Sequence, residues 1–382
     1  MSEWRRTLDD LARDGLLRKP VTVEGRQGPR VRVDGADYVC LCSNNYLGLA
    51  DHPALAEAAK AAVERYGTGS GASRLVSGTM SAHRELEHAI ARHKRAEAAL
   101  VFPTGYMANV GTISAVVGRG DTVYCDRLDH ASIFDGVRLS GATLRLYPHR
   151  DTEALGRLLG RKRKGRALVV TDTVFSMDGD ITPLPALVDA CERFDALLMI
   201  DEAHATGVLG EHGGGAEEHF DIAPGRIPIV MGTLSKAVGS MGGYVAGSAD
   251  LIGLLVNKAR SFIYTTSPPP AVCAASLAGL GVIANEPGRR RTLWERARQL
   301  QDGLRELGFD IGPTETPITP VIVGRPADAT ALSAKLFDAG ILAPAIRPPT
   351  VPRGTARLRL TPMATHTPED IDAVLDALGR AG

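Results

Sequence analysis

Residues 227–249 read I-P-I-V-M-G-T-L-S-K-A-V-G-S-M-G-G-Y-V-A-G-S-A, and Lys236 is the only charged residue in this run. Two strand-like apolar pieces, residues 227–231 and 243–247, flank the lysine. Burying a lone ammonium group is costly unless it is neutralised or paired. The run is therefore typical either of a reactive lysine or of a lysine on a surface turn between two strands. A buried lysine with a lowered pKa can form a Schiff base with a carbonyl compound, and pyridoxal phosphate is the commonest such partner.

The chain around this run alternates between strand-like and helical segments from residue 96 to residue 247. The strand-like runs are A-A-L-V-F, T-V-Y-C, A-L-V-V-T, A-L-L-M-I, I-P-I-V-M and G-Y-V-A-G. Alternation of this kind predicts an α/β fold with a mostly parallel central sheet and helices on both faces. Ligands bind such sheets at the carboxyl ends of the strands, so we expect the reactive residues just after each run.

The pattern changes after the proline-rich residues 267–270, where long helices are followed by a strand–helix–strand–helix pattern. We therefore expect three parts: an N-terminal helix with short strands in residues 1–45, a large cofactor-binding domain in residues 46–288, and a small C-terminal α+β domain in residues 289–382. Trp4, Leu8 and Leu11 recur at helical spacing. We expect the helix that carries them to pack on the body of the protein.

Composition excludes several classes of protein. The 382 residues include 44 Lys+Arg and 44 Asp+Glu, so no basic excess points to nucleic acid. Five cysteines, an odd number without framework spacing, favour reduced thiols and a cytoplasmic location. Cys40 and Cys42 would share one face of a strand, but no second Cys/His pair has metal-site spacing, so no metal is predicted. We find no signal-peptide pattern and no apolar run of about 18 residues, and expect no membrane association.

The first strand ends carry a phosphate-binding pattern and a histidine. The first strand is followed by P-T-G-Y-M-A-N. A helix that begins near Gly105 and Tyr106 would present free backbone N–H groups there, and such groups bind phosphate. His130 follows the second strand at a predicted helix start, where a histidine is either a ligand-stacking ring or a simple helix cap.

The later strand ends carry acids, hydroxyls and the lysine. Ser176 lies in V-F-S-M-D-G-D, whose acids could bind magnesium or simply make turns. Asp201 ends an apolar strand in D-E-A-H and suits pairing with a cationic ring nitrogen, with His204 in reach of the same ligand. Thr233, before Lys236, could meet a phosphate. The chain contains no G-x-x-x-x-G-K-[ST], so the D-E-A-H letters do not indicate a P-loop ATPase.

These residues, in this order, resemble those of the α-oxoamine synthases, pyridoxal-phosphate enzymes of the aspartate-aminotransferase fold (fold type I). The resemblance covers nearly the whole chain. It rests on S-N-N-Y-L-G-L, G-S-G-A-S-R-L-V-S-G-T, H-R-E-L-E, D-H-A-S, V-F-S-M-D-G-D, D-E-A-H-A-T-G-V-L-G and T-L-S-K. It departs from the usual G-S-G-G-S-R at Ala72, in a loop that the resemblance implies is near the substrate.

The resemblance implies a role for each cofactor residue. Lys236 would hold pyridoxal phosphate and act as base and acid at the substrate α-carbon, and Asp201 would pair with the pyridinium nitrogen. His204 and Ser176 would contact the phenolic oxygen of the ring, and His130 would stack on its face.

The remaining implied roles concern the phosphate and the substrate. Gly105, Tyr106 and Thr233 would bind near the cofactor phosphate.

Asn44 would lie near the reacting centre, and His130 would also meet the substrate, at its developing oxyanion. Arg18, Thr350 and Arg359 would meet substrate groups, with Arg359 at the amino-acid carboxylate.

Within the family, the C-terminal segment A-I-R-P-P-T-V-P-R-G-T-A-R-L-R-L-T is most similar to members that condense L-alanine with a pimeloyl thioester, carried by coenzyme A or a carrier protein. Members that use glycine and acetyl-coenzyme A, or another acyl-coenzyme A, are the first alternative. A non-catalytic subunit of the same fold is the second, although such a protein need not keep Lys236. The resemblance also implies a homodimer with active sites at the subunit interface.

Overall fold

The computed structural model describes residues 2–381. Its helices are α1 Glu3–Arg13, α2 Pro53–Tyr66, α3 Ser81–His93, α4 Gly105–Val116, α5 Ala131–Ser140, α6 Thr152–Leu159, α7 Leu184–Arg193, α8 Ala216–His219, α9 Ala249–Lys258, α10 Arg260–Ile263, α11 Pro270–Asn285, α12 Gly288–Glu306, α13 Pro326–Asp338 and α14 Pro368–Ala381. Its strands are β1 Arg30–Val33, β2 Ala36–Cys40, β3 Ala98–Phe102, β4 Thr122–Asp126, β5 Thr143–Tyr147, β6 Ala167–Asp172, β7 Leu197–Asp201, β8 Ile229–Thr233, β9 Gly243–Gly247, β10 Thr319–Gly324, β11 Ile341–Leu342, β12 Ala345–Ile346 and β13 Ala356–Leu360.

Contacts divide the described chain into two units. The central unit comprises residues 49–176 and 181–290, and the terminal unit comprises residues 2–48, 177–180 and 291–381. The contacts thus group the N-terminal segment with the C-terminal residues. The three-part division at residues 45/46 and 288/289 stays a prediction.

The central unit is built on a seven-stranded sheet in the order β3-β9-β8-β7-β6-β4-β5. All neighbours are parallel except β9, which runs antiparallel to both β3 and β8. The predicted α/β class is confirmed, and the six strand-like runs are all strands. Sequence reasoning missed β5, because this edge strand is mostly exposed and lacks a continuous apolar run.

A core of aliphatic and aromatic side chains fixes α4 against this sheet. It includes Phe102 of β3, Ile113 of α4 and Val245 of β9, each fully buried, and full burial of such a side chain contributes about 1.5–3 kcal/mol. A Cβ atom on Gly243 would lie 2.7 Å from Cα of Gly105. Glycine at the start of β9 therefore lets the first residue of α4 approach the sheet closely.

The terminal unit contains two three-stranded sheets, ordered β1-β2-β11 and β10-β13-β12. Leu300 of α12, Leu358 of β13 and Ile371 of α14 are fully buried in their common core, which agrees with the predicted small α+β domain. The expectation for α1 is wrong: this helix buries none of its residues, and Trp4 is 82% exposed. None of the described helices is both long and apolar enough to cross a membrane.

Candidate active site

A cavity of about 250 Å³ lies at the carboxyl edge of the central sheet. Parallel strands end at the same edge, so the residues that follow β3, β4, β6, β7 and β8 meet there. All eight predicted cofactor residues line it: Gly105, Tyr106, His130, Ser176, Asp201, His204, Thr233 and Lys236. The structure thus brings together residues that are up to 131 positions apart in the sequence.

Lys236 lies at the end of β8 with its side chain beside a buried histidine. Its Nζ atom is 2.8 Å from Nε2 of His204. Lys236 is half-buried, whereas His204 is only 7% exposed. The lysine amine therefore faces a cavity, and the alternative of a lysine on an ordinary surface turn is not what the structure shows.

Asp201, the last residue of β7, is a buried hydrogen-bond acceptor. Nδ2 of Asn109 donates to Oδ2 of Asp201 at 2.7 Å, and the N–H of Ala203 donates to Oδ1 at 2.9 Å. Its exposure is 3%. A carboxylate accepts up to about four hydrogen bonds, so Asp201 retains capacity for a ring N–H.

His130 caps α5, which is one of the two alternatives drawn from the sequence, and it also lines the cavity. Stacking of its ring on a ligand stays a prediction. Its Nδ1 atom accepts from the N–H of Ser132 at the start of α5 and lies 2.7 Å from Oγ of Ser132. Burial lowers the pKa of His130, with the nearby Lys236 ammonium acting in the same direction and Asp201 opposing. The ring is therefore neutral at neutral pH, which leaves a flat aromatic surface in the cavity.

The N-terminus of α4 and the end of β8 together form an anion-binding corner. The Thr104 side chain caps α4 by accepting from the N–H of Met107 at 3.1 Å. Oγ1 of Thr233 lies 2.7 Å from Oγ of Ser235 and donates to the carbonyl of Gly242. A Cβ atom on Gly105 would meet Met231 at 3.2 Å. Backbone N–H groups, hydroxyls and the positive end of the helix dipole thus converge on one space.

Tyr106 and Ser176 stand at the margin of the cavity. The hydroxyl of Tyr106 donates to Oδ2 of Asp135 at 2.8 Å, and the side chain is 49% exposed. Ser176 is partly buried.

Asp178, an acid of the same V-F-S-M-D-G-D motif, forms an ion pair with Arg357 at 2.5 Å in the terminal unit. Among residues 2–381, no group of three or more His, Cys, Asp or Glu side chains is arranged to hold a metal ion.

Of the five predicted substrate residues, His130 lies in the central unit, and the other four belong to the terminal unit and form two pairs. Nη2 of Arg18 donates to Oγ1 of Thr350 at 3.4 Å. Nη2 of Arg359 donates to the hydroxyl of Tyr46 at 3.1 Å, and that hydroxyl donates to Oδ1 of Asn44 at 3.4 Å. Tyr46, which the sequence reasoning did not select, links Arg359 to Asn44.

Glu202, the residue after Asp201, forms a buried ion pair with Lys94. Glu202 and Lys94 contact each other with fully buried side chains, and Nζ of Lys94 also donates to the carbonyl of Gly214 at 2.7 Å. The N–H of Ala216 donates to the other oxygen of Glu202 at 2.7 Å. Removing one partner of such a pair costs about 3–5 kcal/mol. Charged residues surround Lys94 in the sequence, a pattern typical of solvated lysines, but the structure buries this side chain completely.

The polar residues Asn109, Ser132 and Asp172 also line the cavity, and none of them was predicted. Nδ2 of Asn109 donates to Oγ of Ser132 as well as to Asp201. Asn109 and Ser132 lie inside helices, away from any strand end. Asp172 is the last residue of β6, and its position in register with Asp201 was the one signal that could have identified it.

Comparison with known proteins agrees with this geometry. Residues 36–378 match the model of the aminotransferase class I and II family. The chain is 54% identical over 378 residues to the 8-amino-7-oxononanoate synthase of Geobacter sulfurreducens, covering 98% of this chain and 96% of that protein. Its identity to the enzyme of the same name from Geotalea daltonii is 51% over 386 residues, covering 100% and 98% of the two chains. A solved serine palmitoyltransferase from S. paucimobilis with bound PLP and myriocin superposes with a TM-score of 0.94 at 34% identity, covering 99% and 96%.

The cavity fits pyridoxal phosphate. It offers an amine for the carbonyl carbon at Lys236, a buried carboxylate at Asp201, and an anion-binding corner at the start of α4. Oδ1 of Asn109 is buried without a protein partner among the described residues, as expected of an atom beside a bound polar group. The chain belongs to the aminotransferase class I and II family and, within it, to the pyridoxal-phosphate-dependent α-oxoamine synthases.

Proposed function

We propose that this chain condenses L-alanine with a pimeloyl thioester to give 8-amino-7-oxononanoate, a free thiol and CO2, a step of biotin biosynthesis. A bond forms between the alanine α-carbon and the thioester carbonyl carbon, while the C–S bond and the bond to the alanine carboxylate break. One observation carries the proposal. The Lys236 amine and the Asp201 carboxylate line the same cavity, in a chain 54% identical to an enzyme of that name.

In this proposal the chain's own residues bind, orient and move protons. When bound, pyridoxal phosphate supplies an electron sink for the carbanion at the alanine α-carbon. Lys236 takes the proton from that carbon and returns a proton after CO2 has left. Asp201 holds the ring nitrogen protonated, and His204 and Ser176 orient the ring through its phenolic oxygen. The positive end of α4, at Gly105, holds the phosphate with Thr233.

In this proposal His130 stacks on the face of the cofactor ring, and it also has a second task. Because Nδ1 of His130 already accepts from the N–H of Ser132, the neutral ring carries its proton on Nε2. An Nε2–H group in the cavity can donate to the oxyanion that develops on the thioester carbonyl.

Substrate recognition is assigned to the terminal unit. Arg359 would pair with the alanine carboxylate, and the hydrogen bonds through Tyr46 to Asn44 support this by holding the guanidinium in place. The exposed Arg18 and Thr350 would contact the acyl donor.

We also propose a homodimer with the active sites at the subunit interface. Several apolar side chains of the central unit support this because they are exposed in the single chain: Val76 is 81% exposed, Met241 53% and Leu75 51%. Exposed apolar surface of this kind marks association sites. Sedimentation equilibrium tests the assignment, and a single-chain mass at micromolar concentration would contradict it.

A thiol-release assay tests the proposed reaction directly. Holoenzyme is supplied with alanine, glycine or serine and with pimeloyl, acetyl or palmitoyl thioesters. We expect alanine with the pimeloyl donor to give the highest kcat/KM, by about 10- to 200-fold over glycine with the same donor, since one methyl group in a fitted pocket discriminates by that factor. A higher kcat/KM for glycine with the acetyl donor, or for serine with the palmitoyl donor, would replace the proposed substrates.

A further inference from the structure

Asp172 is a buried acid in the cavity that has no role in the mechanism described so far. It is the last residue of β6 and pairs in register with Asp201, the last residue of β7. Both side chains line the cavity, and their exposures are 4% and 3%. Neighbouring strands lie about 4.8 Å apart, so the two carboxyl groups are close neighbours on the same edge.

The side chain of Asp172 holds the backbone of His130. The N–H of His130 donates to Oδ2 of Asp172 at 2.8 Å. In return, the N–H of Asp172 donates to Oδ1 of Asp129 at 3.0 Å, and Oγ1 of Thr171 donates to the same oxygen at 3.1 Å. Hydrogen bonds in both directions therefore connect residues 129 and 130 to the end of β6.

These bonds belong to a chain of hydrogen bonds that runs around the ring-binding space from Asp201 to Asp172. From Asp201 the hydrogen bonds lead through Asn109 to Ser132 and then to Nδ1 of His130. The chain of hydrogen bonds then continues through the backbone of His130 to Asp172. The imidazole is thus fixed at its Nδ1 atom by Ser132 and at its main chain by Asp172.

Two neighbouring buried carboxyl groups cannot both be ionised without a large electrostatic cost. Both oxygens of Asp201 accept hydrogen bonds from the chain. Burial raises the pKa of Asp172 well above its usual range, and the charge of Asp201 raises it further, while the N–H of His130 and the Lys236 ammonium oppose. Asp172 is therefore the carboxyl group that is neutral at neutral pH.

We propose that Asp172 is a positioning residue for the cofactor: through the hydrogen bond that it accepts from the N–H of His130, it fixes His130 over the ring. The inference rests on the stacking role given to His130 under the proposed function. It does not depend on which amino acid or thioester reacts.

Three variants of the full chain test this inference through cofactor binding. Asp172→Asn keeps the shape and an acceptor oxygen without a charge, so we expect the dissociation constant for pyridoxal phosphate to stay within about threefold of the wild-type value. Asp172→Ala removes the acceptor, and we expect binding to weaken about tenfold and the visible circular dichroism of the bound cofactor to change. In a His130→Ala background, Asp172→Ala should have little further effect, because the two residues act as a unit.

Each alternative outcome overturns the proposal. If Asp172→Asn binds the cofactor as poorly as Asp172→Ala, the charge rather than the acceptor is required. If Asp172→Ala weakens binding equally with and without His130, the effect does not pass through the histidine. Because the titration uses apoenzyme and cofactor alone, it distinguishes failure of this inference from failure of the proposed condensation, which only the thiol-release assay reports. Thermal unfolding of each apoenzyme shows whether the variant is folded.

Discussion

Lys236 is the residue on which the proposed chemistry depends most. Its Nζ atom lies 2.8 Å from Nε2 of His204 in the cavity. We expect Lys236→Ala to lower turnover by at least about a thousandfold, because it removes both the tether and the acid–base group. The visible absorbance band of the lysine-bound cofactor should also disappear, while the far-ultraviolet circular dichroism stays unchanged.

The matched control is Lys258→Ala, an exposed lysine at the end of α9 in the same unit. It should retain wild-type turnover and absorbance. Turnover within tenfold of wild type in Lys236→Ala would refute the mechanism.

How far single residues could be predicted depended on where they lie. Asp201, His204 and Lys236 follow apolar strands, and their position at strand ends made them visible in the sequence. Asn109 and Ser132 are polar residues inside helices, where a polar residue is ordinary, so nothing local distinguished them. The burial of Lys94 could not be predicted for a related reason: its partner Glu202 is 108 positions away, and charge pairing at that separation leaves no local pattern.

At the scale of elements, the contact between α4 and β9 sets the position of the anion-binding corner. A Cβ atom at Gly243 would lie 2.7 Å from Cα of Gly105 and from the carbonyl oxygen of Thr104. Gly243→Ala must therefore displace the first turn of α4. We expect a stability loss of about 1–3 kcal/mol and a rise of about 10- to 100-fold in the dissociation constant for pyridoxal phosphate, because the N–H groups move from the phosphate.

Gly253→Ala in α9 is the control for this substitution, since no heavy atom lies within 4 Å of the added Cβ. It should stabilise the protein by about 0.5–1 kcal/mol through helix propensity and leave cofactor binding unchanged. Cofactor titration and urea unfolding measure both quantities. Equal cofactor affinity in the two variants would show that the close approach of α4 to β9 does not position the phosphate.

The elements themselves were largely predictable because the central sheet buries six apolar strands. Their continuous apolar runs separate them clearly from the helices between them. β5 was not predicted, and α1 was predicted as a helix but with the wrong packing, because each lies at the edge of its unit. β5 is an exposed edge strand, and the apolar stripe of α1, including Trp4, is exposed in the single chain.

At the scale of the whole molecule, stability should fall on mild acidification. His366 in the terminal unit donates from Nε2 to the carbonyl of Pro29 and accepts from the N–H of Met363 at Nδ1, so it fits only as a neutral ring. Burial lowers the pKa of His366 to about 4, although Asp370 opposes the shift.

Proton uptake by His366 on unfolding determines how the free energy of unfolding changes with pH. The unfolded histidine, with a pKa of about 6.5, binds a proton that the folded one rejects, so the free energy of unfolding falls between about pH 6.5 and pH 4, by up to about 3 kcal/mol. Urea midpoints at pH 7.5 and pH 5 measure this loss in the wild type and in His366→Gln, where it should be smaller. An identical loss in both proteins would assign the acid sensitivity to other groups.

The ion pair between Lys94 and Glu202 has a practical consequence for chemical footprinting. Of the eight lysines, six are exposed, Lys94 is enclosed behind β7, and Lys236 faces the cavity. An amine-reactive reagent should therefore modify the six at once, Lys236 only while the cofactor is absent, and Lys94 only when the chain unfolds. In one peptide-mapping experiment, modification of Lys236 would therefore report loss of the cofactor, and modification of Lys94 would report global unfolding.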